Sequence, residues 1–171
     1  MNNIMLDLET MGNSSNAAII AIGAVSFNSS EITESFYEVV DLKSSVDAGL
    51  TMDADTVLWW MDREDDARSQ FKIGGLSLAV VLELFVGFVG PDAVMWGNGA
   101  SFDNVILANA YQALSVPQPW AYWNDRCYRT MKTLYPSVKM NRTGTYHCAV
   151  DDAKSQAEHL IRILSYAGVS V

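Results

Sequence analysis

The chain has 171 residues, half of them hydrophobic and 18% charged, with a formal net charge of −9 at neutral pH. A chain of this length fits one domain and buries roughly 70% of its unfolded surface, so a disordered chain and a miniprotein that needs staples are both excluded. The acidic balance excludes a general nucleic-acid coat protein, because phosphate binding needs cations.

Asn3–Glu9 reads as a short strand, with Ile4, Met5 and Leu6 leading into Asp7. Residues 12–16, rich in Gly, Asn and Ser, signal a turn. Ala17–Phe27 is a largely buried strand, Asn28–Ser30 a tight turn, and Glu34–Leu42 a third strand, so the first part of the chain predicts an antiparallel meander. The period then becomes helical. Asp53 caps a helix through Asp62 with Val57, Leu58 and Met61 inward, and Glu64–Phe71 is a second short helical piece. Leu76–Val89 has apolar residues at helical spacing and predicts a core helix. Ala93–Trp96 is a strand, and Ser101 caps a helix over Phe102–Leu114. Asp125 starts a helix to Leu134, residues 137–146 form a loop, and Asp151 caps a last amphipathic helix to about Ala167 with Gly168 past its end. Strands first, then helices around another strand, predict an α/β fold with a mixed sheet, as one domain over residues 1–171.

The longest apolar run, Ile73 to Pro91, is broken by Glu83 and four glycines and falls short of a membrane span. No membrane association is expected. The N-terminus lacks the basic and apolar regions of a signal peptide, so the expected location is cytoplasmic, or the host cytoplasm if the chain is phage-encoded. Cys127 and Cys148 form no CxxC pair, which points to reduced thiols and no cysteine-based zinc site.

Three stretches bear on chemistry. In Asp7-Leu8-Glu9 the strand period puts both carboxylates on one face, where a divalent cation relieves their repulsion; two solvated surface acids are the plainer alternative. Asp103 follows a Gly97-Asn98-Gly99 turn and falls in the first turn of a helix, where an anion is favoured. His147 lies in a loop five residues before Asp152, and an imidazole titrating near neutrality suits proton abstraction from water. His159, inside the last helix, is structural or solvated. Residues 126–142 hold Arg126, Arg129, Lys132, Lys139 and Arg142 without an acid, five of eleven basic side chains in 17 residues. That run is either a solvated face or a phosphate track.

Taken together, DLET near the N-terminus, GxSFDN in mid-chain and HxxxDDA before the last helix resemble the three motifs of the DEDDh 3′→5′ exonuclease superfamily, which has a ribonuclease H-like mixed sheet flanked by helices. The segment from Leu50 to Met61 is similar to small bacterial and phage members, among them a 3′→5′ exoribonuclease family and proteins labelled exodeoxyribonuclease VIII-like. The resemblance implies that Asp7, Glu9, Asp103 and Asp152 bind two divalent cations, Mg²⁺ or Mn²⁺, and that His147 is the general base. It implies stepwise hydrolysis from the 3′ end of single-stranded or 3′-overhang DNA or RNA, with nucleoside 5′-monophosphates as products. Thr10 and Met11 are placed to touch the terminal sugar and base. Trp59, Trp60 or Phe102 would stack on or wedge against a base, and Arg126, Arg129 and Arg142 would follow the backbone. A homodimer through residues 57–61 is a further expectation. Two other readings stand beside this one: an inactive nucleic-acid-binding module on the same fold, and a phosphohydrolase of free nucleotides.

Overall fold

The computed structural model describes residues 2–72, 74–90 and 92–169. Ile73 and Pro91, the ends of the longest apolar run, lie outside the described residues. Strands β1 (Asn2–Thr10), β2 (Ile19–Phe27) and β3 (Ile32–Val39) form the expected antiparallel meander. β4 (Ala93–Gly97) lies parallel to β1, and β5 (Asp125–Cys127) lies parallel to β4, giving a mixed sheet ordered β3-β2-β1-β4-β5. Among the described residues, no helix is long and apolar enough to cross a membrane.

The period of two along β1 separates two cores. Ile4, Leu6 and Leu8 point to one face, where they meet Leu82 and Phe85 of α4 (Leu78–Val89) and Ile106 and Leu107 of α5 (Asp103–Ala113). Met5 points to the other face, with Tyr128 of α6 (Tyr128–Leu134) and Ala157 and Leu160 of α7 (Ala149–Ala167). Asp7 and Glu9 share Met5's parity, so they project toward α7, as the alternation predicts. β2 is buried along its whole length because helices cover both faces there. α4 buries Leu78, Val81, Leu82, Phe85 and Val89, each contributing about 1.5–3 kcal/mol, and Ser77 accepts from the Val80 N–H to start it.

Several expected boundaries moved, each for a local polar reason. The third strand stops at Val39 and not at Leu42, because the Asp41 carboxylate accepts from the N–H groups of Lys43 and Ser44 and opens α1 (Leu42–Asp47). Ser101 does not cap α5, whose N-cap position is Phe102. Asp125 starts a strand, not a helix; its carboxylate accepts from Asn104 Nδ2 at 2.7 Å and Trp120 Nε1 at 2.9 Å and is committed to joining α5 to β5. Asp151 is not the N-cap of α7, which begins at Ala149; its carboxylate accepts from the Thr145 N–H and pins the preceding loop. In α2 (Ala54–Met61) Asp53 caps as expected, but Leu58 and Met61 face outward and only Val57 of the three expected residues packs against the core. Trp60 takes the inward position because its Nε1–H reaches the Thr10 carbonyl at 2.9 Å. α3 (Asp65–Lys72) follows after a short turn.

One glycine decides how close α7 comes to the sheet. Gly23 of β2 pairs with Asp7, and a Cβ there would lie 2.1 Å from the Ala149 carbonyl carbon and 2.2 Å from the Val150 nitrogen. The first turn of α7 rests on bare backbone. Gly23→Ala therefore has to lift the helix start, and since the obstacle is backbone the cost is expected at or above the roughly 1–3 kcal/mol of an overpacked core. Urea denaturation measures it; a variant within 0.5 kcal/mol of the parent would show that the approach is not tight.

Candidate active site

The site forms where β1, α7 and the start of α5 converge. Oxygen atoms of Asp7, Glu9 and Asp152 can lie within 4.8 Å of one another. Asp152 reaches this point from the first turn of α7, over the gap left by Gly23. Asp103, the first residue of α5, stands beside the triplet and accepts from the Leu8 N–H at 3.2 Å; the N–H groups of Asn98 and of Asp103 itself also favour its carboxylate. Gly97 makes room for this turn, since a Cβ there would meet Asn104 Oδ1 at 2.3 Å.

Four carboxylates this close, three of them buried and Asp7 partly so, cannot all be ionised cheaply. Burial, then Asp103, Glu9 and Asp152, push the Asp7 carboxyl well above its ordinary range. Burial, then Asp152 and Asp103, raise Glu9 to about 8. Burial raises Asp103 to about 7 against the pull of its N–H donors, and burial raises Asp152 as well. Two neighbours offset part of the repulsion. Arg142 forms an ion pair with Asp152, and Gln156 Nε2 donates to Asp7 Oδ1 at 2.7 Å. Hard carboxylate oxygens this close, with their protons held high, fit a divalent cation of the magnesium or manganese kind, which would displace those protons.

His147 sits at positive φ (59°) in a loop that Asp151 holds through the Thr145 N–H. Its own N–H donates to the Asp152 carboxylate. The imidazole packs edge-on against Trp59 and Trp60, with ring centroids at 4.9 and 6.1 Å. Burial, then Arg142 and Arg63, lower its pKa, so the ring is neutral at pH 7 and able to accept a proton.

Beside Glu9 lies an open cleft of about 380 Å³, lined by Glu9, Thr10, Thr56, Trp59, Trp60 and Phe102 among others. Trp59 is exposed at its wall, whereas Trp60 is 3% exposed and belongs to the core. Thr10 Oγ1 donates to the Gly12 carbonyl, and Met11 is packed in the core. Arg129 donates to the Asn98 carbonyl at 2.5 Å and is near enough to Asp103 to oppose its rise in pKa. Arg126 stands apart on the edge strand, donating to the carbonyls of Trp123 and Asp125. His159 is structural: it is buried, 2.7 Å from both the Tyr128 hydroxyl and the Val138 carbonyl. Cys127 and Cys148 are free thiols.

Gln156 was not foreseen. It lies one helical turn after Asp152 on α7, so i,i+4 spacing from that residue was the available signal.

Comparison with known proteins gives the chain a family and shows relatives of the same fold. A family model described as the 3′-5′ exoribonuclease Rv2179c-like domain matches residues 2–164. An exodeoxyribonuclease of Enterobacteria phage T4 is 24% identical, over 76% of this chain and 70% of that protein. The nuclease domain of 3′hExo, a DEDDh family member bound to rAMP, shares the fold at a TM-score of 0.67 and 16% identity, covering 99% of this chain and 94% of that one. Exonuclease X in complex with 5′ overhanging duplex DNA superposes at a TM-score of 0.61 and 16% identity, covering 98% and 94%.

Two outcomes follow from the electrostatics. Glu9 and Asp103 have folded-state pKa values raised from 4.5 to about 8 and from 3.8 to about 7, so their contribution to stability is full below the ordinary carboxylate range and is lost as pH rises toward 8. In chelator, the melting temperature should fall over that interval, and added Mg²⁺ should raise it more at pH 8 than at pH 6; a profile that climbs from pH 5 to 8 in chelator would contradict the assignment. Replacing Gln156 by Met keeps the volume and removes the bond to Asp7. Isothermal titration should then give Mg²⁺ or Mn²⁺ affinity weaker by about 10–100-fold.

Proposed function

Since the chain belongs to the 3′-5′ exoribonuclease Rv2179c-like domain family, within the DEDDh exonucleases, we propose that it removes nucleoside 5′-monophosphates stepwise from the 3′ end of single-stranded or 3′-overhang nucleic acid. The observation that carries this reading is the triplet Asp7, Glu9 and Asp152, with Asp103 and the His147 loop beside it, next to an open cleft of about 380 Å³ that Glu9 lines. Two divalent cations, Mg²⁺ or Mn²⁺, would be held by these four acids and would supply an acidified water and charge stabilisation on the phosphate.

The chain's own residues do the rest. His147 takes the proton of the attacking water, and its lowered pKa keeps it in the accepting form at neutral pH. The backbone N–H of His147 ties the loop to Asp152, so base and acid keep one geometry. Glu9 and the cleft hold the terminal nucleotide, with Trp59 and Phe102 offering faces to its base. Arg142 and Arg129, both close to the site acids, attract the phosphates that follow. The family description speaks of a ribonuclease and the phage relative of a deoxyribonuclease, and the proposal covers both sugars. Self-association through the exposed side chains Leu58, Trp59 and Met61 is part of the proposal, to be read by sedimentation.

Matched RNA and DNA oligonucleotides labelled at either end test it. With Mg²⁺ or Mn²⁺, a 3′ label should appear first as a mononucleotide, and a 5′ label should pass through a descending ladder. No release with either metal points instead to a binding module, and hydrolysis of free nucleotides alone points to a phosphohydrolase. His147→Ala should lower the rate by about 10²–10⁴-fold while leaving metal affinity unchanged.

A further inference from the structure

At the open edge of the sheet the chain exposes two adjacent aromatic rings. Tyr122 is 74% and Trp123 68% exposed, and they stack edge-to-face with centroids 5.0 Å apart in a single 3₁₀ turn, Tyr122–Asn124. The turn is anchored from beneath. Asn124 Nδ2 donates to the Ala93 carbonyl, and buried Trp120 donates to Asp125, which also binds Asn104 of α5. A firmly held segment that leaves two large rings in water is a built surface.

A cationic side chain lies beside it. Arg126 is exposed, and its guanidinium donates to the Trp123 carbonyl at 2.9 Å, which keeps it next to the rings. Arg129, three residues on, lies against Asn98 and Gly99 and acts on Asp103. β5 joins the two: Cys127 is level with Gly97 at the active-site end of β4, and the aromatic turn precedes the other end of β5. A line of Arg129, Arg126, Trp123 and Tyr122 thus leaves the site along an unpaired strand edge, in a chain of net charge −9. Aromatic faces interleaved with guanidinium groups are what a single strand needs: bases stack on the rings and phosphates meet the cations.

We propose that Tyr122 and Trp123, with Arg126, form a second binding platform for single-stranded nucleic acid, which takes the strand's body several nucleotides upstream of the scissile bond. This rests on the reading of the substrate as a polynucleotide. The cleft beside Glu9 binds the 3′ end; the platform adds affinity only for strands long enough to reach it.

Fluorescence anisotropy in chelator, where hydrolysis is stopped, reads binding of labelled single strands of two and twelve nucleotides. The double variant Tyr122→Ser, Trp123→Ser should weaken 12-nucleotide binding by about tenfold or more and leave the dinucleotide unchanged. In turnover, KM for the longer strand should rise with kcat constant. Tyr122→Phe with Trp123→Phe should restore binding, and Arg126→Gln should reduce the slope of log affinity against log salt by about 0.7. Equal effects on both lengths, or none on the longer, would overturn the platform. So would a parent dimer that the double variant converts to monomer, which assigns the rings to a second copy of the chain. If the chain hydrolyses nothing, the anisotropy still reads the platform, so the two failures remain distinct.

Discussion

Repulsion among four clustered carboxylates, three of them buried and one partly so, is the constraint that the rest of this structure answers. Asp7 and Glu9 come from one strand, Asp103 from the start of a helix beyond a neighbouring strand, and Asp152 from the first turn of the last helix. Each is raised in pKa chiefly by burial. A fold that gathers them works against its own stability, and that cost is met from elsewhere. Two continuous cores hold the sheet from both faces, Arg142 and Gln156 lie on two of the acids, and backbone N–H groups serve a third. Proteins tolerate such arrangements where a bound cation or a reaction uses them.

Much of this was legible in the chain because the periods were clear. The alternation along β1 correctly sent Asp7 and Glu9 to one face and Leu8 to the other. Leu78, Val81, Leu82 and Phe85 announced the core face of α4. The three motifs, weak singly, pointed together to a 3′→5′ exonuclease, and the match of a 3′-5′ exoribonuclease family over residues 2–164 agrees. Three expected helix caps failed in a related way. The residue types of Asp151, Ser101 and Asp125 suit local backbone bonding, so the sequence predicts a cap at each. In the structure Asp151 and Asp125 instead make contacts that tie separate elements together: Asp151 to the loop of His147, Asp125 to α5 and Trp120. A short acidic side chain next to a helix start serves either use equally well, and only the tertiary approach decides between them.

The same reasoning explains what stayed hidden. Gly23 sits in a run of Ile, Ala and Val where nothing marks it as special, yet its missing side chain sets the height of α7 above β1. Gln156 was overlooked because it is neither charged nor in a motif. Its role needs α7 to be docked on β1, which joins positions 149 residues apart. Trp60 defeated the expectation for α2 in a comparable way: a single indole N–H reaching the Thr10 carbonyl outweighed the apolar pattern of Leu58 and Met61.

The acidic composition looked at first like an argument against nucleic acid, and the structure changes what that number means. Net charge is a sum, whereas a polyanion responds to the local field. Asp7, Glu9 and Asp152 lie together, and cations bound there would reverse their sign toward a polyanion. The basic side chains concentrate in 126–142, from Arg126 and Arg129 near the edge strand to Arg142 on Asp152. On the proposed reading, a strand that approaches along this strip would meet cations on its way to the four acids, while the net charge of −9 disfavours indiscriminate binding. Sparse cations at defined positions therefore serve a 3′-end enzyme better than a uniformly basic surface would, since the latter would hold the strand anywhere along its length.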